Sequence, residues 1–272
     1  MGKKKLVVLL SAVMLVALVA LVGCTSGGGT GNGSTGSSDM KLVTPGSLTI
    51  GSDCDYPPFI SLDGDQPVGF EYDLLKAIAD DMGLTLNYLP PQNFDTLITA
   101  VAGGAKMDIA VSSITITDDR KQTVDFCNPY FDSNQACVTM ASSSYTSAND
   151  LAGKVVGAQS GTTGEAWANE HLQGITMKPF NQTSEALAAL QAGEVEALFF
   201  DAPIAEYQIA NNYQNMKIVE VIPTGEEYGF AVSKDNPALE AAINASLQKL
   251  IDNGTYATIF KKYFPDLEPS IQ

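Results

Sequence analysis

Residues 107–120 read MDIAVSSITITDDR. Met107 to Val111, apolar except for Asp108, is short enough to be a buried strand, and Ser112 begins a polar turn directly after it. In sheets flanked by helices, ligands sit in crevices at the carboxyl ends of the strands, which is where this turn falls. Ser113 and Thr115 are two residues apart, so in extended geometry their hydroxyls face the same side. Arg120 follows at loop-to-helix distance. A guanidinium fork with two hydroxyls suits a planar carboxylate. Spacing alone favours a plainer reading, a surface arginine beside an Asp pair and a capping threonine.

Working upstream, Leu48 to Ser52 is a short strand. Phe70, Leu74, Leu75, Ile78 and Met82 recur at helical spacing, and Gly83 supplies a stop. Leu84 to Leu89 alternates as a strand. Phe94, Leu97, Ile98 and Val101 mark a second helix, ended by Gly103 and Gly104. This strand–helix alternation predicts a mostly parallel sheet flanked by helices, an α/β fold. Downstream, a second run follows an interruption near Asp132. It has strands over 155–158, 175–180 and 197–200, with helices over 164–172 and from Thr183, a candidate N-cap, to Gly193. Residues 230–232 read as a strand, and 237–251 and 256–263 as helices. Two such units with an excursion and a return predict two lobes with more than one crossing between them. No solenoid repeat is present.

Three further stretches sit where a ligand would meet them. Gln159 to Gly164, QSGTTG, lies between a strand and a helix, whose first amides attract anions. No lysine stands where a P-loop needs one, and Thr162 or Thr163 serves equally as an ordinary cap. Asp201 follows the apolar strand ending in Phe199 and Phe200. It is placed to meet an ammonium group, and equally to start a helix ahead of Pro203. Asp53 to Phe59, DCDYPPF, follows the first strand. Asp53, Tyr56 and Phe59 are candidates to line a side-chain pocket, with the prolines holding the loop extended. The alternative is a rigid turn whose rings only cover core.

The N-terminus reads as a processed leader. Lys3, Lys4 and Lys5 precede an apolar run to Val22, and Leu21-Val22-Gly23-Cys24 has the form of a lipoprotein cleavage site. Residues 1–23 are then lost and Cys24 carries the lipid. The remaining 249 residues hold 12 basic against 31 acidic side chains, a net of −19. Such a surface repels phosphate backbones, so nucleic acid is not an expected partner. Thr25 to Ser38 is nearly all Gly, Ser and Thr, a flexible tether with nothing to bury, and the ordered part is expected from Ser47. Cys54, Cys127 and Cys137 remain, an odd number that allows one disulfide or none; no Cys/His cluster suggests a metal, and no cofactor motif is present. His171, the single histidine, is expected on a helix surface.

The motifs DCDYPPF, GFEYDLLKAIA, SSITITDDR, DFCNPYF, GTTGE and FFD occur in an order and spacing that resembles the polar amino-acid family of ABC-importer substrate-binding lipoproteins, with the type II periplasmic binding protein fold. The resemblance extends over Ser47 to Phe264 and includes the final TYATIFKKYFP. It implies lobe I over 47–131 plus 228–272, lobe II over 132–227, and a tether over 24–46. Crossings are implied near Phe131–Ser133 and Glu226–Tyr228. A Cys127–Cys137 disulfide would span the first of these, with free thiols the preferred reading. It further implies that Arg120 holds the carboxylate of a free L-amino acid, helped by Ser113, Thr115 and the backbone at Thr162. Asp201 holds its ammonium group. Asp53, Tyr56 and Phe94 face its side chain, with Gln159 and Phe200 as further candidates. Asp53 in an aromatic cup favours a polar or basic ligand. The implied protein is extracytoplasmic, lipid-anchored, monomeric, not an enzyme, and served by membrane permease subunits. The same fold hosts dehydratases and sensing domains of receptors. The residues show no Ser/His/Asp or Cys/His set for the first, and the second needs a membrane span after the domain.

Overall fold

The first strand, β1 (Ser47–Gly51), is buried from its second residue and so can accept partners on both edges. It takes β5 (Thr85–Tyr88) on one side and β6 (Ile109–Ala110) on the other, both parallel. Between them in sequence lie β2 (Asp55–Tyr56), β3 (Ile60–Asp63) and β4 (Gln66–Val68), a small antiparallel sheet, then α1 (Phe70–Asp81) and α2 (Phe94–Ala102). The computed structural model describes residues 40–271. The leader, the candidate lipidation site at Cys24 and the Gly/Ser/Thr tract lie outside the described residues.

After β6 come α3 (Asp118–Thr123), β7 (Asp125–Phe126) and the long β8 (Phe131–Met140). The second sheet is built from β9 (Val155–Gln159), α4 (Thr163–His171), β10 (Thr176–Phe180), α5 (Thr183–Ala192), β11 (Ala197–Asp201), α6 (Ala202–Asn211) and β12 (Met216–Tyr228). The chain then returns through β13 (Ala231–Val232) to α7 (Pro237–Asp252) and α8 (Thr255–Tyr263). The sheet orders are β5-β1-β6-β13-β7 and β10-β9-β11-β8-β12. Three parallel strands form one side of each sheet, in matching order, and two antiparallel-paired strands extend it on the other side.

The two crossings meet. β8 and β12 pair antiparallel, with Phe131 opposite Tyr228, Asp132 opposite Glu227 and Ser133 opposite Glu226. Their first-lobe ends are fixed by aromatic packing. Phe131 and Tyr228 stack at 5.8 Å, and Phe59 lies edge-on to them at 4.7 and 5.4 Å.

Several sequence expectations change here. Phe59 is fully buried in this cluster, against Phe70 and Phe264 as well, and lines no ligand pocket. The prolines do not hold DCDYPPF extended. The Phe59 amide donates to the Tyr56 carbonyl at 3.0 Å, closing a tight turn. The strand expected over 107–111 is regular only at Ile109–Ala110, although the whole run is buried. Thr183 is the first helical residue, with Gln182 at the cap position. Residues 40–46, expected within the tether, are bonded to the globular part. The Val43 amide donates to Asp108 at 2.8 Å, and the Lys41 amide donates to the Asn236 side chain at 3.2 Å. Gly83 and Gly193 behave as read, turning the chain after α1 and α5 at φ 70° and 74°.

Replacing Phe59 with alanine removes a ring from a close-packed site, and should lower the unfolding free energy by about 3–5 kcal/mol in urea titration. A pocket role for Phe59 predicts no such loss.

Candidate functional site

The carboxyl ends of β6, β9 and β11 point into one cleft between the lobes. It is lined by Tyr56, Phe94, Ser112, Ser113, Thr115, Arg120, Gln159, Thr162, Thr163 and Asp201. Eight of the nine residues singled out as a site therefore share one cavity. Asp53, the ninth, lies against it and accepts hydrogen bonds from Ser112 and from Gln159 Nε2, the latter at 2.7 Å.

Arg120 stands on α3, which Thr117 caps by accepting from the Arg120 amide at 3.2 Å. Its guanidinium lies 5.5 Å from the centre of the Phe94 ring. Nη1 donates to the Thr115 carbonyl at 2.7 Å, and Nη2 crosses the cleft to the Gly161 carbonyl at 2.9 Å. Among the described residues it makes no salt bridge, and its side-chain hydrogen bonds go to neutral carbonyls. Burial pulls its pKa down, opposed by the negative charge of Asp201 and Glu226.

Asp201 ends β11 and occupies the cap position of α6, but its side chain does not cap the helix. It turns inward instead. Gln135 Nε2 donates to Oδ1, and the Tyr228 hydroxyl donates to Oδ2 at 2.5 Å. The Asp201 amide donates to the Tyr56 hydroxyl at 3.3 Å. Burial, with Glu226 adding repulsion, raises its pKa to about 7. Asp53 is likewise raised, first by burial. Thr162 caps α4, accepting from the Glu165 amide at 3.2 Å and donating to the Gln159 carbonyl at 2.7 Å.

The expected pairing of the Ser113 and Thr115 hydroxyls fails. Ser113 has φ 48°, so the turn is not extended and the hydroxyls reach different carboxylates. Ser113 Oγ donates to Glu71 at 3.1 Å, and Thr115 Oγ1 donates to Glu226 at 2.8 Å. Glu71 also accepts from the Ser113 amide at 2.7 Å and from the Tyr130 hydroxyl. Its second oxygen is buried without a partner, and burial raises its pKa to about 7.

Glu71 and Gln135 are not singled out by the sequence, and Glu226 and Tyr228 are placed by the resemblance only at a crossing between the lobes, with no role at the site. Glu71 is hidden inside an amphipathic helix, where an acid in the first turn is ordinary. Gln135 and Tyr228 lie on crossing strands that bring them together only in three dimensions. Glu226 follows Pro223-Thr224-Gly225, whose turn-like composition was the one available signal.

The lobes are closed on this cleft. Free space within it is about 10 Å³, no more than one water needs. Several bonds cross it, including Gln159 to Asp53 and the Ser184 amide to Asp55 at 2.7 Å. A ligand enters only if the lobes part. A larger hollow of about 240 Å³ sits at the amino ends of the strands, lined by Lys41, Asp108 and Asn236. Its buried acid is already satisfied by the Val43 and Thr49 amides at 2.8 and 2.7 Å, so the chemistry favours the smaller cleft. Cys54, Cys127 and Cys137 are free and buried. Burial raises their thiols, to about 11 at Cys54 and about 12 at Cys137. His171 is exposed at the end of α4, stacked on Trp167 at 4.7 Å. Among the described residues no group of side chains is arranged to hold a metal ion, and no helix is long and apolar enough to cross a membrane.

Two α/β lobes joined by paired crossing strands, closing on a charged polar cleft, define a solute-binding protein with the type II periplasmic binding protein fold. The chain belongs to the bacterial extracellular solute-binding proteins, family 3, whose profile matches residues 48–266. Over 231 residues it is 30% identical to the putative ABC transporter arginine-binding protein 2 of Escherichia coli K12, covering 83% of this chain and 93% of the relative. The arginine-binding extracellular protein ArtP of Bacillus subtilis 168 is 29% identical over 265 residues, 96% of this chain and 98% of its own. Among solved structures, an ancestral arginine-binding protein bound to arginine superposes with a TM-score of 0.76 at 38% identity, covering 80% of this chain and 98% of that one.

Asp201 and Glu71 retain a proton up to about pH 7 in the fold, against usual values of 3.8 and 4.5. The folded state thus binds more protons between about pH 4 and 7. Ligand-free stability is complete below that window and falls as pH rises through it. Urea unfolding at pH 5 and pH 8 should show this loss, and Asp201→Asn should reduce it. A flat wild-type profile would contradict the assignment.

Proposed function

We propose that this protein is the extracytoplasmic receptor of an amino-acid ABC importer, and that it clamps a free polar or basic L-amino acid between its lobes. One observation carries the reading: a guanidinium without a carboxylate and a buried carboxylate without a cation line the same cleft, on opposite lobes. A zwitterion supplies both missing partners, and each of its charges is costly to desolvate unless so paired. Arg120 takes the carboxylate, with the Thr115 and Thr162 region beside it. Asp201 takes the ammonium group. Tyr56, Phe94, Gln159 and Asp53 surround the side chain, and Ser113 shapes the turn that carries Thr115.

The side-chain half of the cleft is acidic. Asp53 is buried with only neutral donors, Ser112 and Gln159, so a ligand carrying a second positive charge complements it best. The arginine-binding relatives support this preference, and arginine is the first candidate. Nothing in the cleft requires a cofactor or a catalytic group.

In this reading residues 1–23 form the leader, Cys24 carries the lipid, and the Gly/Ser/Thr tract leads to a domain tied down from residue 40. Lobe I comprises 47–131 with 228–272, and lobe II comprises 132–227. The receptor acts as a monomer at the outer face of the membrane and delivers its ligand to permease subunits. Closure brings Arg120 and Asp201 to the ligand together, so the closed form signals occupancy.

The test is a thermal-shift screen of the twenty amino acids on the chain from Met40 to Gln272. Basic amino acids should raise the melting temperature most. Arg120→Ala should weaken binding of the best ligand by about 100-fold or more in calorimetry while leaving the fold intact. No shift with any amino acid would overturn the proposal.

A further inference from the structure

Glu226 sits behind the cleft rather than in it. It lies on β12 just past an irregular step in the pairing with β8, between Ile222 opposite Gln135 and Glu226 opposite Ser133. Gly225, at φ 64°, makes the step, and its amide donates to the Asn134 side chain at 3.0 Å. The extra residues turn the Glu226 carboxylate toward the cleft wall.

There it collects donors from both lobes. Oε2 accepts from Thr115 Oγ1 at 2.8 Å, on the turn that follows β6 of the first sheet. The same oxygen accepts from Thr163 Oγ1 at 3.0 Å, the first residue of α4 on the second sheet. Gln135 Nε2 lies 3.1 Å from both oxygens and also donates to Asp201. Thr115, Thr163 and Asp201 all line the cleft. When the lobes part, Thr115 moves with one and Thr163 with the other, so both bonds to one oxygen hold only in the closed form. Hydrogen bonds to an ionised acceptor are about twice as strong as neutral ones, which gives this junction weight in the closure equilibrium.

We propose that Glu226 is a positioning residue: a clasp at the crossing strands that draws Thr115 and Thr163 together on closure and holds Gln135 against Asp201. The clasp rests on the amino-acid receptor reading above. It acts on how long the lobes stay shut over the ligand, and reaches the ligand only through Thr115, Thr163 and, by way of Gln135, Asp201.

The experiment follows L-arginine binding to the full-length protein in detergent by calorimetry and stopped-flow fluorescence. Glu226→Ala should weaken binding by about tenfold or more, chiefly through faster dissociation. Glu226→Gln keeps size and acceptor and should fall between. Thr163→Val should weaken the wild type but add nothing in the Glu226→Ala background. A purely structural role would leave one further readout unmoved. Asp201 faces Glu226, Arg120, Tyr56 and Tyr228, so Glu226→Gln should move the pH midpoint of binding downward. Wild-type binding with Glu226→Ala unchanged, additive Thr163→Val effects, or a fixed pH midpoint would each overturn the clasp alone. Failure of the wild type to bind any amino acid overturns the receptor reading itself.

Discussion

A carboxylate removed from water must be compensated, and in this protein the constraint centres on Asp201. Its side chain is buried at the end of β11 and meets only neutral donors, Gln135 and Tyr228, with Glu226 close enough to raise its pKa further. Neutral donors partly replace hydration but leave the charge unmatched. Across the cleft, Arg120 carries the opposite deficit, with two carbonyls and an aromatic face around its guanidinium. An unpaired guanidinium on one lobe and, on the other, a buried carboxyl group that gives up its proton only near pH 7 make the closed state incomplete without a ligand that has both ends. The rest of the architecture serves to bring them into one cavity.

The crossing strands do this with little freedom to spare. β8 and β12 pair along most of their length, and Phe131 and Tyr228 bury their rings in the first lobe's aromatic cluster. The same strands carry Gln135, Glu226 and the Tyr228 hydroxyl into the wall of the cleft. A hinge that also supplies the groups around Asp201 couples the position of the lobes to the electrostatics of the site. The route is short: Gln135 bonds both Asp201 and Glu226, and Glu226 bonds a hydroxyl from each lobe.

Much of the fold was readable because its signals are local. Apolar spacing over 70–82 and 94–101 marked α1 and α2 to within about a residue, and Gly83 and Gly193 stopped helices where left-handed turns occur. What failed was local reasoning applied to non-local features. Thr115 and Ser113 do not share a face, because a buried acid from α1 holds Ser113 in a left-handed bend. Phe59 looked like a pocket residue beside Asp53 and Tyr56, yet the turn within DCDYPPF sends its ring into the core. The segment from residue 40 looked like tether, because backbone amides bonded to distant Asp108 and Asn236 leave no trace in composition.

The sequence by itself determined which side chains stand at the carboxyl ends of strands. That follows from hydrophobic periodicity and turn residues, which act over a few positions. It thereby placed Arg120, Gln159 and Asp201 at candidate sites without showing that they meet. Only the tertiary structure decided that β6, β9 and β11 point into one cleft, and that Gln135, Glu226 and Glu71 stand behind it. Burial and pairing of charges depend on neighbours brought from 40 to more than 100 residues away, as with Thr115 and Glu226, separated by 111. No pattern within a single segment encodes that distance.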